Sequence, residues 1–418
     1  MKLGNRAGVL LAATILAAAS GCSTKAPDTA APGGDTGGTG GGEVKVGRGV
    51  EGKTITLGVL TDLTGVFAAL GADITNANTL YWEKQNAGDK VCGTYDVKLD
   101  IKDTGYVPQQ GVQLYSGMKD DILAMQQTIG SPINTALGDT YTQDSIVNLP
   151  SAWARNLTSF PGNGVVGATY DVEMTNGLGY ALEKGLIKEG DTLGHIYFEG
   201  EYGANGLAGS KYFAGKHKMK VVEAKIKPTD QDMSSQITQF KAAGINALVL
   251  TTAPGQTASA AGAAATQGLD VPIIGNNPVF APGLLKGPAA ATLKKNLIVA
   301  SPINGFDAHP ELLADYKKKY PSVTPSLGVV FGTGMSDVMK QILDKACENK
   351  DLTPEGVLAA KGELTDIDTG GLVVPLNFSK GDKSPSTESF ILQPADVDGG
   401  AKTLQAGAYE SPDVAGLG

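Results

Sequence analysis

The feature that most constrains the fold of this chain is a regular alternation of strand-like and helix-like segments, which begins at Lys53. β-Branched runs such as Ile55–Leu60 end in polar turns that contain glycine, and helical patterns follow them. Strands that alternate with helices in this way are typical of βαβ units and parallel sheets. Two such series follow one another, so we predict an α/β fold with two doubly wound lobes.

The ends of the predicted strands carry the candidate binding groups. In an open parallel sheet, ligands bind at the carboxyl ends of the strands, where helix N-termini offer free N–H groups. These ends carry small polar residues and the isolated aromatics Phe67, Trp153, Tyr202 and Phe331. Hydroxyls, amides and N–H groups can hold a carboxylate without reacting with it. Core packing explains each aromatic residue equally well on its own, but together the groups predict a binding cleft.

The first 52 residues are predicted to lie outside the fold. Residues 1–21 have the layout of a signal peptide, with Lys2 and Arg6 before an apolar segment. The following Cys22 resembles the lipid-bearing cysteine of bacterial lipoproteins, although an ordinary signal peptide with an incidental cysteine is the alternative. Residues 22–52 are rich in Gly, Pro and Thr and predict a flexible tether. We also expect a poorly ordered tail over 396–418, where Gly and Ala are frequent.

The sequence contains no recognisable catalytic or metal-binding motif. The three histidines, His195, His217 and His309, are scattered without the spacing of metal ligands. No nucleophile elbow, dinucleotide fingerprint or P-loop is present. The net charge of −9 argues against a nucleic-acid partner. We therefore expect no catalytic residues, no metal and no cofactor.

Several motifs, in order, resemble the Leu/Ile/Val-binding-protein-like receptors of ABC importers, which have the type I periplasmic-binding fold. They cover most of residues 53–393. Gly58–Gly65 resembles the opening strand and turn of that family, and Tyr202–Gly206 is similar to its Y-G-x-x-G motif. Phe240–Gly244 and Gly268–Gly275 resemble two further segments. Asp103–Pro108 departs from the family's D-x-x-x-D-P segment, because Val107 replaces the second Asp.

The resemblance implies two lobes that are joined by three crossings and close over a small ligand. Lobe 1 would comprise 53–165 and 303–380, and lobe 2 would comprise 166–302 and 381–395. The residues that match the family's binding positions, or lie at strand ends near them, are Phe67, Asn134, Thr135, Ser151, Trp153, Tyr202, Gln256, Asn277 and Phe331. Cys92 and Cys347 would both fall in lobe 1, which favours a disulfide over two buried thiols.

The resemblance further implies an exported receptor, anchored to the outer face of the membrane through Cys22. It would capture an amino acid or a related amide or urea-like compound and deliver it to ABC permease subunits. We expect a monomer. A ligand sensor with the same fold is the first alternative, and an exported hydrolase is the second.

Overall fold

The computed structural model describes residues 44–417. Its strands are β1 (Lys45–Val46), β2 (Val50–Glu51), β3 (Thr54–Thr61), β4 (Asp96–Asp103), β5 (Ala124–Ile129), β6 (Asn148–Ser151), β7 (Thr192–Phe198), β8 (Lys220–Ile226), β9 (Ala247–Thr251), β10 (Ile273–Asn276), β11 (Leu297–Ser301), β12 (Asp351–Leu352), β13 (Phe390–Pro394) and β14 (Ala401–Thr403). Its α-helices are α1 (Ala68–Ala87), α2 (Pro108–Met118), α3 (Ser131–Gln143), α4 (Tyr170–Glu183), α5 (Glu201–Lys216), α6 (Ser234–Ala243), α7 (Pro254–Thr266), α8 (Ala290–Asn296), α9 (Pro310–Lys319), α10 (Gly328–Glu348) and α11 (Pro354–Glu363).

Two sheets form the centres of two lobes. In lobe 1, β4, β3, β5 and β6 lie side by side and parallel, and the short β2 pairs antiparallel with the start of β3. In lobe 2, the order is β14-β13-β11-β10-β9-β7-β8. Its strands β7 to β11 are parallel, while β13 and β14 add antiparallel pairs at one edge. The predicted α/β class with parallel sheets in two lobes is confirmed.

The chain passes between the two sheets after β6, after β11 and again before β13. Two of these crossings are tied together by a bridge between Ala168 and Ser386. Between the second and third crossings, α9, α10 and α11 return to lobe 1, where α10 packs on α1. The helices approach closely at Gly332, where a Cβ atom would lie 2.5 Å from the carbonyl oxygen of Ile74.

Both ends of the described chain carry regular structure. Two short strands, β1 and β2, lie within the segment that was predicted to be a tether. β1 pairs with β12, and β2 pairs with β3. In the predicted tail, β14 extends the lobe 2 sheet, and a 3-10 helix at Pro412–Gly416 buries Val414. Residues 1–43, which hold the predicted signal peptide and Cys22, lie outside the described residues. Among residues 44–417, no helix is long and apolar enough to cross a membrane.

A disulfide joins the segment after α1 to the end of α10. The two cysteines are Cys92 and Cys347, whose Cα atoms are 5.7 Å apart and which are separated by 255 residues of sequence. It lies within lobe 1 and links α10 to the polypeptide that leads into β4.

Candidate functional site

A cavity lies between the two lobes, at the carboxyl ends of the central strands of both sheets. The atom-free space there, including the part that opens to solvent, is about 770 Å³. The apolar side chains that lobe 1 contributes are Phe67, Leu70, Ile74, Ile129, Leu327 and Phe331. Lobe 2 and the second crossing contribute Pro278, Phe280, Val299, Ile303, Leu392 and Ala401. None of the described side chains that line this cavity carries a formal charge.

Aromatic side chains bring the two lobes together around the cavity. The ring of Phe67 in lobe 1 lies 6.5 Å from that of Tyr202 in lobe 2, centroid to centroid. Tyr202 in turn packs at 4.6 Å against Tyr170. The Tyr170 N–H donates to the carbonyl of Trp153 at 2.9 Å. Because contacts cross from lobe to lobe, the cleft is closed in this structure.

Two serines supply the polar part of the lobe 1 wall. Ser131 begins α3 and Ser151 ends β6, and both are buried. Neither hydroxyl has a hydrogen-bond partner among residues 44–417. The preceding Gly130 has φ of 95°, and a Cβ atom there would lie 2.6 Å from the Tyr106 ring, so glycine lets the chain turn into α3 beside the cavity. The wall thus combines two free hydroxyls with a helix N-terminus.

The lobe 2 wall has its polar groups where β10 meets α4. Asn277 lines the cavity and is 8% exposed, and its side-chain Nδ2 has no partner among the described residues. Its backbone N–H donates to Glu173 Oε2 at 2.8 Å. Burial raises the pKa of Glu173 well above its usual value, and the nearby Asp171 carboxylate adds to this. Burial at this position therefore favours the neutral form of the Glu173 carboxyl.

The phenols at the site are neutral near pH 7. Burial raises the pKa of Tyr170 and of Tyr202 well above 10, with Glu173 contributing to both shifts. Burial likewise raises the pKa of Tyr106. The Tyr202 hydroxyl donates to the Thr252 carbonyl at 3.1 Å, which orients the ring toward the cavity. A ligand in this cavity therefore meets apolar surface and neutral hydrogen-bonding groups.

The structure brings six of the predicted site residues to the cavity wall: Phe67, Ser151, Trp153, Tyr202, Asn277 and Phe331. Trp153 is fixed there by its Nε1–H, which donates to the Val166 carbonyl at 2.8 Å. Its ring packs 4.8 Å from that of Phe331. Whether these residues touch a ligand stays a prediction.

The other three predicted residues do not line the cavity, because their side chains form hydrogen bonds with nearby backbone or side-chain groups. The Asn134 Nδ2 donates to the carbonyls of Thr128 and Gly130, each at 2.8 Å. The Thr135 hydroxyl accepts from Asn156 at 2.9 Å. The Gln256 Nε2 donates to the carbonyls of two residues in the loop after β8, Pro228 and Asp230. Polar side chains close to strand ends can thus stabilise the loops that shape a site without entering it.

Sequence reasoning missed much of the apolar wall, above all Leu70, Ile74, Val299 and Leu392. These side chains belong to helix or strand patterns that are indistinguishable from core positions in the sequence. Ser131 and Tyr170 were also missed. The glycine before Ser131 was the available signal, because it precedes the predicted turn into a helix at a strand end.

Comparison with known proteins identifies the family of this chain. A family model described as "Periplasmic binding protein" matches residues 54–401. The chain belongs to this periplasmic binding protein family. Its members' two-lobed fold, which the sequence motifs suggested, agrees with the sheets and crossings described above.

This periplasmic binding protein is similar to three solved structures of ABC-transporter proteins. A fatty acid ABC transporter substrate-binding protein from Thermomonospora curvata is 40% identical, with a TM-score of 0.86 over 89% of this chain and 96% of that one. A branched-chain amino acid ABC transporter protein from Thermus thermophilus with bound valine is 16% identical, with a TM-score of 0.75 over 87% and 98%. A solute-binding protein from Rhodopseudomonas palustris in complex with 3,4-dihydroxybenzoic acid is 21% identical, with a TM-score of 0.71 over 86% and 98%. No curated protein gives a significant match.

Proposed function

We propose that this periplasmic binding protein is the extracytoplasmic receptor of an ABC importer, and that its ligand is a fatty acid or a similar molecule with a long apolar chain and one carboxyl head. The observation that carries this proposal is the uncharged, mainly apolar wall of the interlobe cavity. Burial of a chain stabilises a complex by about 0.8 kcal/mol per methylene. A wall of leucine, isoleucine, valine and phenylalanine side chains suits such a chain.

The carboxyl head has a suitable partner set at the start of α3. Ser131 and Ser151 have buried hydroxyls without partners, and the N-terminus of a helix of 13 residues favours negative charge. A carboxylate held there would satisfy both hydroxyls. In the proposed complex, the acyl chain then runs along Phe67, Leu70 and Phe331.

The similarity to the Thermomonospora curvata protein supports the same ligand class. That protein is described as a fatty acid ABC transporter substrate-binding protein, and the two chains align over nearly their whole length. The Thermus thermophilus and Rhodopseudomonas palustris proteins, with valine and 3,4-dihydroxybenzoic acid, are much less similar in sequence.

An amino acid or a small amide is the second candidate, because the sequence motifs favoured it. An α-ammonium group needs a carboxylate or a set of acceptors. The described side chains of the lining carry no charge, and burial favours the neutral form of the Glu173 carboxyl, which accepts from the Asn277 N–H. These observations favour the fatty acid.

A sensor and a hydrolase are the alternatives to transport. A sensor would bind the same ligand, so its partner protein alone distinguishes it. A hydrolase needs a nucleophile and a base at the cavity. The described serine–histidine pair, Ser210 and His195, has a 2.9 Å contact but is fully buried in lobe 2 and does not line the cavity.

In the proposed mechanism, the ligand stabilises the closed lobes by touching both of them. Phe67 and Ser151 act from lobe 1, while Tyr202 and Val299 act from lobe 2. Because these contacts exist together only when the cleft is closed, the ligand shifts the population toward that state. The closed form would then deliver its ligand to the permease, while Cys22 anchors the receptor to the membrane.

A binding panel tests the ligand class. The protein is unfolded and refolded to remove bound lipid, and its thermal unfolding is followed with palmitic acid, leucine, the other amino acids, urea and short amides. A ligand at about 100 times its dissociation constant adds about 2.7 kcal/mol to stability. We expect palmitic acid to stabilise the protein and the amino acids to leave it unchanged. Stabilisation by an amino acid or an amide, with none by fatty acids, would contradict the proposal.

A matched pair of variants locates the effect in the cavity. Leu70→Gln places an amide in the apolar wall, whereas Leu186→Gln changes a leucine that is 45% exposed at the surface. We expect only Leu70→Gln to reduce the stabilisation by palmitic acid. Equal responses of the two variants would place the binding elsewhere.

A further inference from the structure

Three buried polar side chains meet where the start of α4 crosses the end of β10. Glu173 lies in the first turn of α4, Asn276 ends β10, and Asn277 follows it. Glu173 and Asn276 are 0% exposed and Asn277 is 8% exposed. We call these three residues the lobe 2 polar cluster.

The arrangement of α4 on β10 makes these side chains neighbours. Gly177 of α4 lies against Ile274 of β10, where a Cβ atom would be 3.0 Å from the Ile274 Cγ2. Glu173 precedes Gly177 by one helical turn and so shares its face, and Asn276 follows Ile274 by two residues and so shares its side of the sheet. A hydrogen bond from the Asn277 backbone N–H to Glu173 Oε2 connects the third residue to the other two.

Four nitrogen and oxygen atoms of the lobe 2 polar cluster lack a hydrogen-bond partner among residues 44–417. They are Glu173 Oε1, Asn276 Nδ2, Asn276 Oδ1 and Asn277 Nδ2. More than nine in ten buried polar groups in native proteins are paired, and an unpaired one costs free energy. The cluster therefore has bonding capacity for a polar group that the chain itself does not supply. Asn277, which lines the cavity, connects the cluster to the ligand site.

The charge around the cluster defines what it can bind. The ionisable groups that face Glu173 are the Asp171 carboxyl and the phenols of Tyr170 and Tyr202. None of these groups is a cation, so an anion would find no charged partner there. The two amides and the Glu173 carboxyl offer donors and acceptors together. Such a set matches a hydroxyl or an uncharged amide, which both donates and accepts.

We propose that the lobe 2 polar cluster of Glu173, Asn276 and Asn277 is a second polar subsite, which binds an uncharged hydroxyl or amide carried on the apolar chain of the ligand. This inference rests on the proposed function and makes it more specific. The natural ligand would then be an acyl chain with a carboxyl group held by lobe 1 and a neutral polar group held by lobe 2, such as a hydroxylated fatty acid.

This subsite would also stabilise the closed arrangement of the two lobes. A plain fatty acid touches lobe 2 through apolar contacts alone, whereas a hydroxylated one adds hydrogen bonds to that lobe. A site built to bond a hydroxyl discriminates against the analogue that lacks it, because its own polar groups are then left unpaired. Selectivity for the hydroxyl is therefore the property to measure.

The experiment compares palmitic acid with its hydroxy derivatives, which carry the hydroxyl on the α carbon, at mid-chain or on the ω carbon. Dissociation constants are measured by calorimetry on the lipid-free wild-type protein and on Asn276→Leu and Glu173→Gln. We expect at least one derivative to bind about tenfold more tightly than palmitic acid to the wild type. Asn276→Leu should abolish that gain, so that the hydroxy derivative and palmitic acid bind the variant with similar affinity. Glu173→Gln keeps an acceptor for the Asn277 N–H and should retain part of the gain.

A matched control is available on the same helix. Thr175 is also fully buried with a partnerless hydroxyl, but it lies two residues from Glu173 and so on another face of α4. Thr175→Val should leave the selectivity for the hydroxyl unchanged. If Asn276→Leu does not fold, Glu173→Ala serves as the second variant and should also remove the gain.

The outcomes separate this inference from the proposed function. If no fatty acid binds at all, the proposed function fails. If palmitic acid binds and no hydroxy derivative binds more tightly, the second subsite is wrong. A gain that persists in Asn276→Leu would also overturn it, because the hydroxyl would then be bound elsewhere.

Discussion

Phe67 and Tyr202 stand on opposite lobes with their ring centroids 6.5 Å apart, and both rings line the cavity. The contact between the two rings spans the cleft from one lobe to the other. It couples the apolar wall of the site to the conformation of the whole molecule, since the same rings that would contact the ligand also hold the lobes together.

Removing either ring should weaken ligand binding. Tyr202→Ala and Phe67→Ala each lose a buried aromatic surface worth about 1.5–3 kcal/mol, so we expect palmitic acid to bind about ten to a hundred times more weakly. Calorimetric titration measures the dissociation constant. Tyr197→Ala, which removes a tyrosine of β7 outside the cavity, is the control. An unchanged affinity in both cavity variants would contradict the assigned site.

Ser151→Ala should weaken binding of the acid and spare its ester. The substitution removes one hydroxyl that we assign to the carboxylate, and a hydrogen bond to a charged group contributes about 1.5–3 kcal/mol. We expect palmitic acid to lose about tenfold or more in affinity, whereas methyl palmitate, which has no charge, should change little. Equal losses for the two ligands would show that Ser151 acts through packing.

The buried His195 should make stability depend on pH below neutrality. It lies between Ser210 and Thr251, with 2.9 Å contacts to each, and burial lowers its pKa from 6.5 to about 3. The folded protein keeps this ring neutral while the unfolded chain protonates it below pH 6.5. The unfolded state then binds the extra proton, so stability falls as the pH is lowered from 6.5 toward 3.

Chemical denaturation at several pH values measures this effect. We expect His195 to contribute a loss of roughly 1.4 kcal/mol per pH unit within that window. His195→Asn keeps a donor and an acceptor without a titrating ring, and its free energy of unfolding should fall less steeply by that amount. Identical slopes for the two proteins would mean that another group controls the acid transition.

Loss of the disulfide should lower stability without affecting ligand affinity. Cys92 and Cys347 are 255 residues apart and do not line the cavity. Removing a cross-link typically costs about 2–4 kcal/mol, because the unfolded chain gains freedom. Urea unfolding of the double variant Cys92→Ser/Cys347→Ser measures the loss, and palmitic acid titration gives the affinity. A large drop in affinity at full folding would show that the bond also shapes the site.

Cys22→Ser should release the protein from the membrane. A lipid on Cys22 would anchor the exported chain, and serine cannot carry a thioether-linked lipid. We expect the wild type in the membrane fraction and the variant in the soluble exported fraction, with equal affinity for palmitic acid. A wild type found in the soluble exported fraction, like the variant, would favour the alternative of an ordinary signal peptide with an incidental cysteine.

The site was only partly predictable, because the neighbours of a polar side chain decide whether it lines the cavity or bonds to the protein itself. Ser151 and Asn134 both follow lobe 1 strands closely, and both were predicted to bind the ligand. Ser151 ends β6 with its hydroxyl free beside the cavity, whereas Asn134 turns back to the carbonyls of Thr128 and Gly130. Nothing in the local sequence separates these outcomes, since both types of residue can bond either a ligand or a backbone group.

The sequence by itself determined the alternating strands and helices and the parallel character of both sheets, because hydrophobic periodicity and turn residues act over short stretches of chain. The tertiary structure alone decided the chemical character of the cavity. Leu70, Val299 and Leu392 are far apart in sequence and read there as core residues, yet they meet in one wall. The small polar ligand that the motifs suggested thus faces an apolar cavity, since the polarity of a site depends on which side chains the folded lobes bring together.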